Sequence, residues 1–444
     1  MNKKLPLWVT LMIVWIFLIL IVGFGWAVWS VGNGRNTFSK STGESIIFVA
    51  KIPALINQTY HEIMSEEGAN LMLTSERAAG IDGLQIKAAN YVDSNYLLLS
   101  SYDKTAKQST IKLLRLSDQK VMHQWVPNVE DALKYFVKND SVPWQIEHNV
   151  TNFRMLHPLL SNDGTIYYNF IFSPLIKMGP DAKIIWSVPG MFHHSTEFDS
   201  EGNIWAPALD EHSKFASAVF KDYKDDKLVK VSPEGKILFE KSISQILLDN
   251  GYRGLLWGVG LYEEDEIHLN DIQPALTSSA YWEKGDLLVS LRNKSTVFLY
   301  RPGTNKILWL KTGPWLSQHD VDFLDDKRIG IFGNDVVRGD KMTLLESHNE
   351  QYIYDFSTDS LQTPYTAFFK GANVATLSEG RTDILPNGDL FIEETEHGRL
   401  LRGSFTNTIW QFAERINPKS VAALSWSRFV TYNKFDELTF LKTK

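Results

Sequence analysis

The side chains that offer chemistry in this sequence are three histidines and one arginine: His194, His268, His319 and Arg292. The chain has no cysteine, which excludes a thiolate nucleophile, a thiolate metal site and a disulfide framework. Any nucleophile must therefore be another side chain, and a neutral imidazole nitrogen can attack or carry a proton near neutral pH. Arginine adds a planar fork of donors suited to anionic oxygens. Repetition relates two of the histidines. The stretches HHSTEFDSEGNIW and QHDVDFLDDKRIGIF align with His194 over His319, at equal spacing to Ile204 and Ile329. Each residue also has a bland reading. His194 beside His193 can be a strand-end residue satisfied by backbone, His193 can be the functional one of the two, and His268 can be structural. Arg292 can be an ion-pair partner between sheets.

The elements that must position these residues are strands. From about Ser94 a β-rich run, a turn and a second run recur as IKLLRLSDQKVMHQW, LIKMGPDAKIIW, LVKVSPEGKILFE, VFLYRPGTNKILW, YIYDFSTDSLQTPYTAFF and IWQFAERINPKSVAALSW. The copies start near Ile111, Leu175, Leu228, Val297, Tyr352 and Ile409, a spacing that fits four-stranded blades with long loops. A second strand type alternates with them in LLSNDGTIYY, TEFDSEGNIWAP, VDFLDDKRIGIF and ILPNGDLFIEE, each built around a hairpin turn. Six copies predict an all-β, six-bladed propeller over 94–444. Helical stretches such as VEDALKYF and ISQILLDN are short insertions. In a propeller the strand-entry loops converge on one end of the central channel, so blade-equivalent residues face the same space.

Four segments together resemble the active-site segments of the bacterial arylsulfotransferase family: His194, the H-x-N of His268 and Asn270, the S-x-R-N-x-S of Ser290 to Ser295, and the Q-H-D around His319. The likeness runs from about Leu156 to Arg402. It implies a six-bladed propeller that moves a sulfuryl group from a phenolic sulfate ester to a phenol by a ping-pong route through a sulfohistidine. On that resemblance His319 is the nucleophile, His194 the acid or base, and Arg292 and His268 stabilise the sulfuryl oxygens. Asn270 and Asn293 are then substrate-binding residues. The chemistry suits these side chains, since sulfuryl transfer, like phosphoryl transfer, chiefly needs charge neutralised around three oxygens.

The composition, 44% hydrophobic and 22% charged, is that of a globular protein, and the formal net charge of -7 leaves no basic footprint for nucleic acid. The stretches HHSTEFD and SQHDVD lack further ligands at metal spacing, so neither a metal nor a cofactor is expected. Glu393 and Glu394 are adjacent on a strand and point to opposite faces, which rules them out as an acid-base pair. Glu379, Arg381 and Arg399 are expected to join them in a structural ion-pair group. No charge occurs between Lys4 and Arg35, and the apolar run between them predicts a membrane-spanning helix. It lacks a small-x-small cleavage site. Residues 1–32 are thus expected to be a cytoplasmic stub and anchor, 33–93 a juxtamembrane segment containing the polar linker FSKSTGES, and 94–444 an extracytoplasmic propeller. The expected partners are an aryl sulfate donor, a hydroxyl acceptor and the membrane. Trp257, Tyr281, Trp282 and Trp315 are candidates to stack on phenols or sugars. The rival class is an anchored propeller that binds or scaffolds without catalysis. Oligomeric state and natural substrates stay open.

Overall fold

The computed structural model describes residues 6–33, 35, 37–64, 71–138, 148–150, 152–219, 222–258, 260–339 and 341–441. Two compact units divide the chain, Met1–Glu67 and Gly68–Lys444. In the first, helix α1 (Leu7–Gly32) carries no charge and is long and apolar enough to cross a membrane. Helix α2 (Lys40–Met64) follows. The expected linker FSKSTGES is therefore mostly helix. Its start is favoured by Ser39 Oγ, which accepts the Thr42 N–H at 3.3 Å, and by contacts with α1 through the Trp26–Phe38 ring pair and the Ser30–Thr37 hydroxyls 2.7 Å apart.

The second unit is all-β and propeller-like. Four separate antiparallel sheets have four or five strands each. One joins Arg428–Val430, Tyr96–Asp103, Gln108–Arg115 and Lys120–Trp125; another runs Leu269–Pro274, Leu287–Leu291, Thr296–Arg301 and Lys306–Thr312. The others begin with Asp320–Phe323 and Arg381–Ile384. A fifth, eight-stranded sheet spans residues 156–242. The expected six blades are thus seen as four separate sheets and one of double width. Hairpin turns close as their sequences demand, with Gly164, Gly202 and Gly388 at φ 85°, 80° and 81°, which residues with a Cβ rarely adopt. Apolar faces fill the space between sheets, as where Val289, Leu291 and Phe298 meet Leu228, Ile243 and Ile246.

The unit begins well before residue 94. Gly83–Ile86 pairs with Thr408–Ala413 as a fifth strand, and buried Asp93 accepts from Trp410 Nε1 at 2.8 Å and Arg402 at 2.7 Å. These contacts bind part of the expected juxtamembrane segment into the sheets. Trp282 and Trp315 are buried in the core and present no free face to a substrate, while half-buried Tyr281 has one ring face stacked on Phe356.

The strands that matter for the site are β1 (Leu156–Leu160), β2 (Glu197–Phe198), β3 (Leu269–Pro274), β4 (Asp320–Phe323), β5 (Arg381–Ile384) and β6 (Arg428–Val430). Side chain to backbone bonds link them in a ring. Ser195 Oγ accepts the Ile272 N–H at 3.2 Å, Asp271 accepts that of Val321 at 2.9 Å, and Asp320 accepts that of Thr382 at 2.8 Å. Glu393 accepts from Trp426 and Ser427 at 2.7 and 2.5 Å, while Arg428 donates to Pro158 O and Thr196 O at 2.8 and 2.7 Å. Glu394 accepts from Arg399, so the two adjacent glutamates have separate structural tasks. Two of the ring carboxyls, Asp271 and Asp320, and the neighbouring Asp322 sit close enough to disfavour one another's charge. Burial raises Asp271 and Asp322 well above the carboxylate range, and burial, opposed by Arg381, pushes Asp320 up to about 7.

The sign of the pH effect follows. The folded chain holds the Asp320 proton more tightly than the unfolded chain, so that stabilisation is full below about pH 4 and lost as pH rises through about 7. Thermal unfolding from pH 4 to 8 should show a falling midpoint that Asp320→Asn flattens; the same slope in the variant would assign it elsewhere.

Candidate functional site

The four expected catalytic residues come together at the entrances to β2, β3 and β4. His194 precedes β2 and His268 precedes β3, each with φ 53°, a left-handed backbone that turns the side chain off the regular strand path. Their rings are 5.0 Å apart. Arg292 follows the fully buried strand Leu287–Leu291, and its backbone N–H donates to His268 O at 3.1 Å. His319 precedes β4, is 1% exposed, and donates its own N–H to Phe332 O at 3.1 Å.

His268 and His319 are each held by a partner that the sequence did not single out. Asp265 Oδ2 lies 2.6 Å from His268 Nδ1, which leaves Nε2 as the nitrogen available to a ligand. Asp265 is ionised: burial works to raise its carboxyl, but the charge and hydrogen bond of His268 pull it below the ordinary range. Asn334 fixes the ring of His319. Its amide nitrogen donates to Thr376 O and Glu379 O at 3.3 and 2.9 Å, so its Oδ1 must accept from His319 Nδ1, 2.6 Å away. The His319 lone pair is then on Nε2, where the Glu379 N–H caps it at 3.1 Å. His194 Nδ1 lies 2.8 Å from His193 Nδ1, and His193 in turn faces Asp226. His193 is the inner ring, 2% exposed, while His194 keeps part of its surface open.

The two asparagines expected to bind substrate have other engagements. Asn270 donates to Gln318 O at 2.7 Å, tying β3 to the peptide before His319, although its buried Oδ1 has no partner among the described residues. Asn293 donates to Asp265 O at 2.6 Å and so supports the carboxyl that holds His268. Both are spent on backbone carbonyls because strand ends at a crowded channel mouth leave those carbonyls unpaired. His157, on β1, was missed altogether. It is buried against Trp426, and its Nε2 has no hydrogen-bond partner among the described residues.

Electrostatics set the site's character. Burial drives His194 and His319 well below the usual histidine range. The charges of His268, His193, His319 and Arg292 add to this at His194; those of Arg292 and His268 add to it at His319. Arg292 is 8% exposed and has no carboxylate partner among the described residues. Its Nη1 donates to Asn293 Oδ1 at 3.3 Å, its Nη2 reaches Met342 Sδ at 3.5 Å, and its Nε–H has no acceptor among the described residues. A buried guanidinium so placed calls for an anion.

The family model for arylsulfotransferase (ASST) matches residues 179–415, more than half of the chain and all four site residues. The chain belongs to the arylsulfotransferase family. That family is one of aryl sulfotransfer, so at family level its members are sulfuryl transferases acting on aryl sulfates and phenols. No curated protein matches the chain. Among solved structures, a protein of unknown function from Bacteroides caccae aligns with TM-score 0.47 and 12% identity over 76% of this chain and 99% of that one. A virginiamycin B lyase from Staphylococcus aureus aligns with TM-score 0.35 and 10% identity over 60% of this chain and 72% of that one.

In this family member a cavity of about 430 Å³ beside the histidines is walled by Phe172, Pro174, Pro189 and Met191, with the Phe172 ring 5.6 Å from that of His193. A larger cavity of about 930 Å³ lies at the far ends of β1, β2 and β6, and none of the site histidines line it. Of these two, the smaller has a wall residue, Phe172, in ring contact with His193.

If Arg292 waits for an anion, two effects should appear together. Inorganic sulfate should raise the unfolding midpoint of the wild type, and Arg292→Met should lose that rise while being no less stable without sulfate, since the change removes a buried unpaired charge. An unchanged sulfate response in the variant would place the anion site elsewhere.

Proposed function

We propose that this protein transfers a sulfuryl group from an aryl sulfate ester to a phenol or other hydroxyl acceptor, by a ping-pong route through a sulfohistidine on His319. The observation that supports it is the buried Arg292, without a carboxylate, beside three imidazoles in a chain of this family. The catalytic scaffold is read as a six-bladed propeller, the eight-stranded sheet counting as two four-stranded meanders joined by the pairs Ala208–Phe192 and Leu209–Met191. Helix α1 is read as a single-pass anchor with the propeller outside the cytoplasm.

In the first half-reaction His319 Nε2 attacks sulfur, the N–S bond forms and the bond from sulfur to the aryl oxygen breaks. The departing phenolate takes a proton from protonated His194. In the second, His194 takes a proton from the acceptor hydroxyl, whose oxygen attacks sulfur as the N–S bond breaks, and the site returns to its starting state. Burial and positive neighbours keep the His319 lone pair unprotonated, as a nucleophile requires. The same neighbours depress His194, and the bound ester supplies the negative charge that lets it hold a proton. Arg292 and the Nε2 of His268 would meet the sulfuryl oxygens. The Glu379 N–H must leave the His319 lone pair, and from 3.1 Å it is placed to meet a sulfuryl oxygen once sulfur is attached. The cavity beside Phe172, whose wall mixes Phe172, Pro174, Pro189 and Met191 with Lys138 and Glu211, has room for an aryl group.

Incubation of the purified full-length chain with a nitrophenyl sulfate and an acceptor phenol should release coloured nitrophenolate and sulfate the acceptor. His319→Asn should reduce turnover by at least about 1,000-fold. Undiminished turnover in that variant, or none in the wild type with a range of aryl sulfates, contradicts the assignment, the latter favouring a binding module.

A further inference from the structure

The two adjacent histidines are not equivalent, and the inner one is built into a chain of contacts that ends on a carboxyl. His193 Nδ1 and His194 Nδ1 are 2.8 Å apart, with ring planes at 87°. On its far side, His193 Nε2 lies 3.1 Å from Asp226 Oδ1, bent away from a straight hydrogen bond, so this contact is chiefly electrostatic. Asp226 is itself fixed, because its Oδ2 accepts the Leu269 N–H at 2.9 Å. That bond ties it to the residue next to His268. Both Asp226 and His193 are 2% exposed.

The protons of these rings can then be assigned. A carboxyl facing Nε2 draws the single proton of neutral His193 to that nitrogen, leaving its Nδ1 as an acceptor. His194 must donate from Nδ1, so its own lone pair is on Nε2. We propose that Asp226 and His193 are positioning residues that hold His194 in the tautomer with a free Nε2 lone pair, and that stabilise it when that nitrogen takes the acceptor's proton. This rests on the sulfuryl-transfer reading for its role in turnover, but the tautomer stands apart from it. The logic is that of a carboxylate orienting an imidazole base, with a second imidazole inserted between them. Burial opposes protonation of His194, as do the charges of His268, His319 and Arg292 and that of His193 whenever it is itself protonated. Asp226 is the negative counterpart behind the pair.

The consequence is asymmetric between half-reactions. A nitrophenolate leaves with little proton assistance, whereas unsubstituted phenol must lose its proton to attack. Rapid mixing of the full-length chain with 4-nitrophenyl sulfate reads the first step as a burst of nitrophenolate, and transfer to phenol reads the second. Asp226→Asn keeps the size of the side chain and removes its charge. It should slow transfer to phenol on the order of 100-fold, at least tenfold more than it slows the burst, and displace the pH profile of the transfer step. His193→Gln, checked for native circular dichroism, should act in the same direction. Equal slowing of both steps, or of neither, overturns the proposal. A wild type without any burst condemns the sulfuryl-transfer reading instead, and the positioning claim is then decided by histidine ¹⁵N shifts. Protonated Nδ1 on His194 in the wild type, altered in Asp226→Asn, supports it; protonated Nε2 overturns it.

Discussion

A guanidinium buried without a carboxylate is the constraint on which the site turns. Arg292 takes up little surface exposure and gives its donors only an amide oxygen and a thioether, with one N–H unused. Such a charge is costly to leave alone. Burial, with the charges of Arg292 and the neighbouring imidazoles added to it, holds His319 and His194 well below the usual histidine range. An anionic sulfuryl group would bring negative charge beside Arg292 and shift that balance.

Holding that arrangement requires strand entrances from several sheets to stay in register. The ring of side chain to backbone bonds from Ser195 through Asp271, Asp320 and Glu393 to Arg428 does this, one channel strand to the next. Asn270 adds a tie at the depth of the histidines by holding the Gln318 carbonyl. Because these bonds end on backbone, they fix where each strand begins. That in turn fixes where His194, His268 and His319 stand.

The sequence made some of this legible and hid the rest for physical reasons. The repeat that aligned His194 with His319 reflects real equivalence, since Phe198 pairs with Ile204 as Phe323 pairs with Ile329. Asp265 was also within reach, three residues before His268. Asn334, Asp226 and the Glu379 N–H were not, because each meets its histidine from a neighbouring strand or sheet whose register no local pattern reveals. The carbonyls that take the amide nitrogens of Asn270 and Asn293 meet them only in the folded channel mouth. Polar FSKSTGES gave no sign of the helix that its Ser39 helps to start. Likewise, aromatic type alone could not separate core Trp315 from a stacking platform.

On the proposed reading the site pairs His319 as nucleophile with His194 as a supported base and Arg292 as the cation that meets the sulfuryl oxygens. The claim at its centre is that sulfur is carried on one nitrogen of one residue. Rapid quench of the full-length chain after mixing with an aryl sulfate in the absence of acceptor, followed by peptide mapping under conditions that preserve N–S bonds, tests it most directly. The account predicts a sulfuryl group on the peptide containing His319, lost when a phenol is added. A group found on His194 or His268, or turnover with no modified peptide at any time, would contradict it.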